Sequence, residues 1–238
     1  MKPELLFEDN HLLAVNKPAG MLVQGDRTGD VPLVEHLRQY IKEKYRKPGN
    51  VFLGVVHRLD RPVSGALVFA RTSKALERLN AAFAGREVLK IYLAVVANRP
   101  PAESGRLVHW LQKDNMNNVV KAYRSEKKGT LLAELDYRLL GSMGSHSLLE
   151  VKPKTGRPHQ IRVQLASMGC PIAGDLKYGY KQPDPGGNIA LHAYSLSFRH
   201  PVKQELIELR APLPVLAIWQ PYRDLVQDLF TGKPTADL

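Results

Sequence analysis

Apolar residues along the chain gather into short runs separated by turn-forming residues. HLLAV (11–15), VFLGVV (51–56), ALVFA (66–70) and IYLAVVA (91–97) have the length and composition of buried strands. Over 131–139, Ala133, Leu135, Tyr137 and Leu139 alternate with Glu134, Asp136 and Arg138, the period of a strand with one wet face. Stretches 145–151, 191–198 and 204–210 read as further strands. Helical spacing is rarer. Leu33, Leu37, Tyr40, Ile41 and Tyr45 predict a helix over 33–45, with Asp30 as its N-cap and Pro32 in the first turn. Leu76, Leu79 and Phe83 predict a second over 74–84, capped by Thr72 or Ser73 and stopped by Gly85. A third begins at Pro158, buries Ile161, Leu165 and Met168, sets His159, Arg162 and Ala166 on another side, and stops at Gly169. Many strands with few helices imply an α+β fold on a mainly antiparallel or mixed sheet. Neither a repeat nor a Gly/Ser- or Pro-rich linker divides the 238 residues, so a single domain over 1–238 is expected.

Composition narrows the class. Hydrophobic residues at 44% and charged residues at 24% describe a folded chain. One cysteine, Cys170, excludes an internal disulfide and favours a reducing cytoplasm. The opening MKPELLFEDNHLLAVNKPAG carries acids where a signal peptide has bases, and no apolar run approaches a membrane span, so secretion and membrane association are not expected. Lys plus Arg number 34 against 23 Asp plus Glu, a surplus of +11 that attracts polyanions. The surplus is regional. Residues 1–30 hold three cations and five anions (net −2), 151–182 hold six and one (+5), and 106–130 hold six and two (+4), the last with Trp110 and Tyr123. Cations beside flat rings suit phosphates and unstacked bases.

Two segments concentrate chemistry. HRLDRPVSG (57–65) is a loop between apolar runs, with Asp60 flanked by Arg58 and Arg61 and three positions from His57. Cations that met the carboxylate would favour its charged form, and a carboxylate so held could be a nucleophile or a base; a turn aspartate bonding local backbone is the plain alternative. KPKTGRPHQIR (152–162) sets four cations and His159 at the start of the third helix, where phosphate or carboxylate contact is physically reasonable and Arg162 and His159 share a face; a solvated basic helix start is the plain alternative. Asn16-Lys17-Pro18-Ala19-Gly20 is a turn usable for phosphate contact, and Tyr92 is either a core tyrosine or a ring for base stacking. His57, His159 and His192 lack metal-ligand spacing, so no metal is expected, and GxGxxG, GxxxxGK[ST] and GxSxG are absent.

HRLDRPVSG (57–65), KIYLA (90–94), KTGRPHQIR (154–162), CPIAGDLKYG (170–179) and LHA (191–193), in that order, resemble the RluA-type RNA pseudouridine synthases over about residues 5–212. The resemblance implies the pseudouridine synthase fold, with a central, mostly antiparallel mixed sheet and an RNA-binding cleft. It also implies cofactor-free isomerisation of a uridine in rRNA or tRNA. Asp60 matches the family's catalytic aspartate, Tyr92 the tyrosine that stacks on the target base and takes the C5 proton, and Arg162 the arginine that pairs with the aspartate. Arg58 matches an arginine that enters the RNA stack as the base leaves. His57, Lys17, Arg157, His159 and Gln160 are then expected to contact RNA. Val63 stands where relatives commonly carry threonine. Several relatives add an N-terminal S4 domain, whereas this chain is expected to start at the catalytic domain and to act as a monomer on RNA rather than DNA. A non-catalytic RNA-binding or ribosome-assembly factor on the same fold is the alternative, and a metal-independent hydrolase using His57 and Asp60 a third reading.

Overall fold

The computed structural model describes residues 3–26, 28–114 and 116–231. The strands are β1 Leu5–Glu8, β2 Leu12–Lys17, β3 Gly54–Val55, β4 Ser64–Ala70, β5 Leu89–Ala97, β6 Ser104–Asp114, β7 Val119–Tyr123, β8 Leu131–Met143, β9 His146–Pro153, β10 Leu191–Arg199 and β11 Leu206–Arg210. The helices are α1 Leu33–Lys44, α2 Ser73–Ala84, α3 Gln160–Ser167 and α4 Arg223–Thr231. This α+β chain forms two compact units. The first takes the residues up to Lys90 together with Ala193–Pro212, the second Ile91–His192 together with the residues from Leu213 on. Each unit is assembled from separated stretches, which is why no linker composition marks the division.

In the first unit β2 pairs antiparallel with β1 and with β4, β4 lies beside β10, and β11 pairs antiparallel with β10. All seven residues of β4, SGALVFA, are buried, the outcome expected of an apolar run without alternation. One core gathers Leu12, Ala14, Ala66 and Val68 with Leu79 of α2 and with Leu196, Phe198, Ile207 and Leu209 of β10 and β11. Thr72 caps α2, its hydroxyl accepting from the Ala75 amide at 3.2 Å, and Gly85 ends it. Helix α1 buries Leu33, Val34, Leu37 and Ile41 but starts differently from expectation. Pro32 is its N-cap, and the Asp30 carboxylate is turned to Arg61, 2.8 Å away. The apolar run 51–56 supplies only the two-residue β3, and β1 is an extra strand that periodicity did not reveal.

Gly65 shows why the Ser-Gly pair ends the HRLDRPVSG loop. Its φ is +122°, and a Cβ placed there would lie 2.3 Å from the Ala193 carbonyl oxygen and 2.5 Å from the Ala193 nitrogen. Only a residue without a side chain lets β4 and β10 approach so closely.

In the second unit the order is β5-β9-β8-β6-β7, and β9, β8, β6 and β7 each pair antiparallel with the strand before. The alternation over 131–139 is realised, with Ala133, Leu135 and Tyr137 buried on one face, and β8 continues to Met143 past a register shift between Leu139 and Gly141. A Cβ at Gly141 would meet the Leu225 side chain of α4 at 2.8 Å, so this glycine seats the helix. Strands β6 and β7 form a hairpin within the basic stretch 106–130, with Trp110 directly opposite Tyr123. No helix among the described residues is long and apolar enough to cross a membrane.

Helix α3 corrects the sequence expectation. It begins at Gln160, not Pro158, and His159 is its N-cap in the left-handed region at φ +50°. Gln160, Ile161, Arg162, Val163, Gln164 and Leu165 are all buried, so the helix has no wet stripe over its first turns. Its polar members are bonded internally. The Gln160 amide nitrogen donates to the Glu134 carbonyl while its oxygen accepts from the Thr155 hydroxyl and the Arg157 amide. Gln164 donates to the Leu107 and Ala133 carbonyls of β6 and β8. The two glutamines therefore bolt α3 to the sheet through their amide nitrogens, while the buried Gln164 Oε1 has no hydrogen-bond partner among the described residues.

Candidate active site

Asp60 sits in a closed turn of the first unit, where its carbonyl accepts from the Val63 amide at 3.0 Å. Val63 is itself buried, so this position of the loop is a packed apolar one. Arg58 is exposed and Asp60 half-buried. The loop is fixed from below by the turn after β2. The Gly20 amide donates to the Arg61 carbonyl at 2.8 Å, and Arg61 Nε returns a bond to the Gly20 carbonyl at 3.0 Å.

Lys17 completes this fastening and overturns its expected role as a phosphate ligand. It is 0% exposed, and its Nζ donates to the carbonyls of Pro18, Met21 and Arg61 at 2.9, 2.7 and 3.2 Å. An ammonium with three acceptors enclosed around it is not presented to RNA; it ties the NKPAG turn to the backbone next to Asp60. Burial drives this ammonium down to about 7, the Asp60 charge opposing the shift and Arg61 adding to it. An unperturbed lysine titrates at 10.5, so between about 7 and 10.5 the unfolded chain holds a proton that the folded chain has released. Lys17 therefore makes stability rise with pH across that window. Urea unfolding at several pH values should show the rise in the parent protein and a flatter dependence in Lys17→Met; parallel curves would contradict the assignment.

His57 is also spoken for. Its Nε2 accepts from the Val68 amide at 3.2 Å, which places the proton of the neutral ring on Nδ1, and the ring stacks on Phe83 with centroids 4.7 Å apart. Burial pushes its pKa down to about 3, with Lys90 contributing. The imidazole therefore stays neutral at physiological pH and is a poor proton carrier there, which argues against the hydrolase reading. Its expected RNA contact is limited to what the remaining ring edge offers.

In the second unit Tyr92 lies on β5 opposite Val151 of β9, half-buried. Arg162, on α3, is 5% exposed and forms a forked ion pair that sequence reading missed. Its Nε and Nη2 donate to the two carboxylate oxygens of Asp175 at 2.7 and 2.9 Å. The guanidinium also lies over the Tyr178 ring, 5.1 Å from its centroid. Asp175 and Tyr178 belong to the GDLKYG segment, whose preceding residues run along β5, with the Ala97 amide donating to Pro171 and the Ala173 amide to Val95. The signal was present in the sequence as an acid within a basic stretch, but nothing in its spacing named its partner.

The remaining expected RNA contacts divide. Gln160 is buried and saturated within the unit, so it is a structural staple rather than an RNA ligand. Arg157 is half-buried and donates from Nε to the Leu132 carbonyl at 3.1 Å. His159 is half-buried, with Nδ1 2.7 Å from the Tyr178 hydroxyl. Among the described residues no group of three or more His, Cys, Asp or Glu gathers as metal ligands would.

The family model described as RNA pseudouridylate synthase matches residues 11–167, and the chain belongs to that family. Ribosomal large subunit pseudouridine synthase C of Vibrio cholerae is 35% identical over 215 residues, 88% of this chain and 65% of the relative, so the chain spans about two thirds of that relative's length. The tRNA pseudouridine synthase C of the same organism is 31% identical over 235 residues, 91% of this chain and 93% of the relative. Among solved structures, human RNA pseudouridylate synthase domain containing 4 superposes with a TM-score of 0.77 at 24% identity, covering 92% of both chains, which shows a shared fold.

Proposed function

We propose that the protein isomerises a uridine of structured RNA, in rRNA or tRNA, to pseudouridine. The observation that carries this is membership of the pseudouridylate synthase family through a match that includes HRLD, together with relatives named for both RNA classes. The reaction breaks the bond from N1 to C1′, turns the uracil, joins C5 to C1′ and releases the C5 proton. It needs a carboxylate at the ribose and a means of holding the freed base.

Asp60 supplies the carboxylate, either adding at C1′ or removing the 2′ proton to give a glycal. Tyr92 supports the uracil ring and receives the C5 proton. A free phenol titrates at about 10, so the ring's hold on the base is the larger part of its contribution. Arg162 is the cation of the site. The target atoms are closed off in a stacked helix, so the uridine is everted, and Arg58, exposed beside Asp60, fills the gap it leaves. Arg157 and His159, with the exposed Lys121, Arg124, Lys127 and Lys128 around the β6–β7 hairpin, grip phosphates. Lys127 already lies 4.1 Å from the Tyr123 ring centroid, a cation–aromatic pair suited to an unstacked base.

The test uses bulk RNA from cells lacking the gene, labelled with tritium at uridine C5. The parent protein should release tritium and Asp60→Asn should release none. Salt-dependent binding without release by either protein would favour the non-catalytic RNA-binding alternative.

A further inference from the structure

We propose that Asp175 is a positioning residue for this reaction, clamping the Arg162 guanidinium in one orientation through a forked ion pair backed by Tyr178. The inference rests on the reading of Arg162 as the cation of the active site. It deepens that reading by naming what aims the cation.

The geometry constrains Arg162 in two independent ways. The Nε and Nη2 edge is held in the plane of the Asp175 carboxylate at 2.7 and 2.9 Å, which removes rotation about the end of the side chain. The Tyr178 ring, 5.1 Å from the guanidinium carbon, removes tilt out of that plane. Asp175 thereby takes two of the five N–H groups that a guanidinium carries, and the direction of the others follows from the fixed plane. Tyr178 is in turn fixed at its hydroxyl. That oxygen accepts from the Val120 amide of β7 at 2.9 Å and lies within hydrogen-bond distance of His159 Nδ1, at 2.7 Å. Asp175 itself is held by its backbone, its amide donating to the Ile172 carbonyl and its carbonyl accepting from the amides of Tyr178 and Tyr180.

Stability alone gives no reason for this arrangement. A buried ion pair is seldom better than apolar side chains of equal volume, because both charges lose their hydration. What the pair adds is direction, and a group of the active site displaced by about an ångström costs on the order of 100-fold in rate.

Asp175→Asn keeps the shape and removes the charge. With the tritium-labelled bulk RNA described above, kcat should fall by about 30- to 100-fold while RNA affinity stays within about twofold of the parent. A general loosening of the fold would instead lower affinity and rate together. A second measurement needs no variant to fold. In the parent protein the Arg162 Nε–H, assigned by its absence in Arg162→Lys, should give a slowly exchanging, downfield nitrogen–proton resonance, unlike that of the exposed Arg99. A kcat for Asp175→Asn within about twofold of the parent, joint loss of affinity and rate, or an Arg162 Nε–H that exchanges as fast as Arg99 would each overturn the proposal. Absence of tritium release by the parent protein would count against the isomerase reading instead, since the resonance reports the clamp in either case.

Discussion

Arg162→Met is expected to destabilise the protein by about 3–5 kcal/mol, the cost of leaving a buried charge without its partner. The orphaned group is Asp175, 1% exposed, whose two oxygens lose the Nε and Nη2 donors together. Methionine fills most of the volume of the arginine stem, so the loss is electrostatic rather than a cavity. The double variant Arg162→Met with Asp175→Asn removes the uncompensated charge and should recover a large part of that loss. Urea unfolding of the parent, the single and the double variant checks this. A single variant as stable as the parent would show that the pair is not closed in solution, and a double variant worse than the single would show that Asp175 has other partners of equal weight.

Gly65→Ala is expected to be at least as damaging, by more than about 4 kcal/mol, and to give insoluble or unfolded protein on expression. The backbone conformation alone is unfavourable for an L-residue. Steric overlap is the greater obstacle, since the new methyl would collide with the oxygen, nitrogen and carbonyl carbon of Ala193 at 2.3, 2.5 and 2.7 Å. These are backbone atoms of a paired strand and have no rotamer into which to retreat. Gly105→Ala is a useful contrast. There the added methyl meets the ring and hydroxyl of Tyr137 at 3.0 Å, a side chain with some freedom to shift, and the loss should be clearly smaller. Equal thermal stability of Gly65→Ala and the parent would refute the close approach of β4 and β10.

What could be read from the chain beforehand follows from where the physical constraint lies. β4 was legible because both its faces are covered, which leaves an unbroken apolar run, and α2 because its cap and stop are local. The hairpin of β6 and β7 was not, since its burial alternates weakly and its many cations describe a surface rather than a period. The start of α3 was misplaced because Pro158 is acceptable at a first helical position, whereas the left-handed backbone at His159 stands beside a hydroxyl contact from a residue 19 positions away. Lys17 illustrates the same limit in the candidate site. A lysine next to a proline-glycine turn looks like a free cation until the chain folds and three carbonyls enclose it. Asp60, Tyr92 and Arg162 are named from motif order, but Asp175, a partner of Arg162, lies 13 residues downstream and only the fold brings it near.

The complete enclosure of β4 sets a boundary on how such a protein diversifies. A strand with no solvent-facing position, following directly on the loop of Asp60, offers few sites at which a substitution alters that loop without unravelling the sheet. Changes in the choice of RNA must then accumulate on the periphery, in outlying strands and turns whose side chains already meet water. Selecting new targets by randomising the β6–β7 hairpin, while leaving 54–70 untouched, is the engineering strategy that this division of labour recommends.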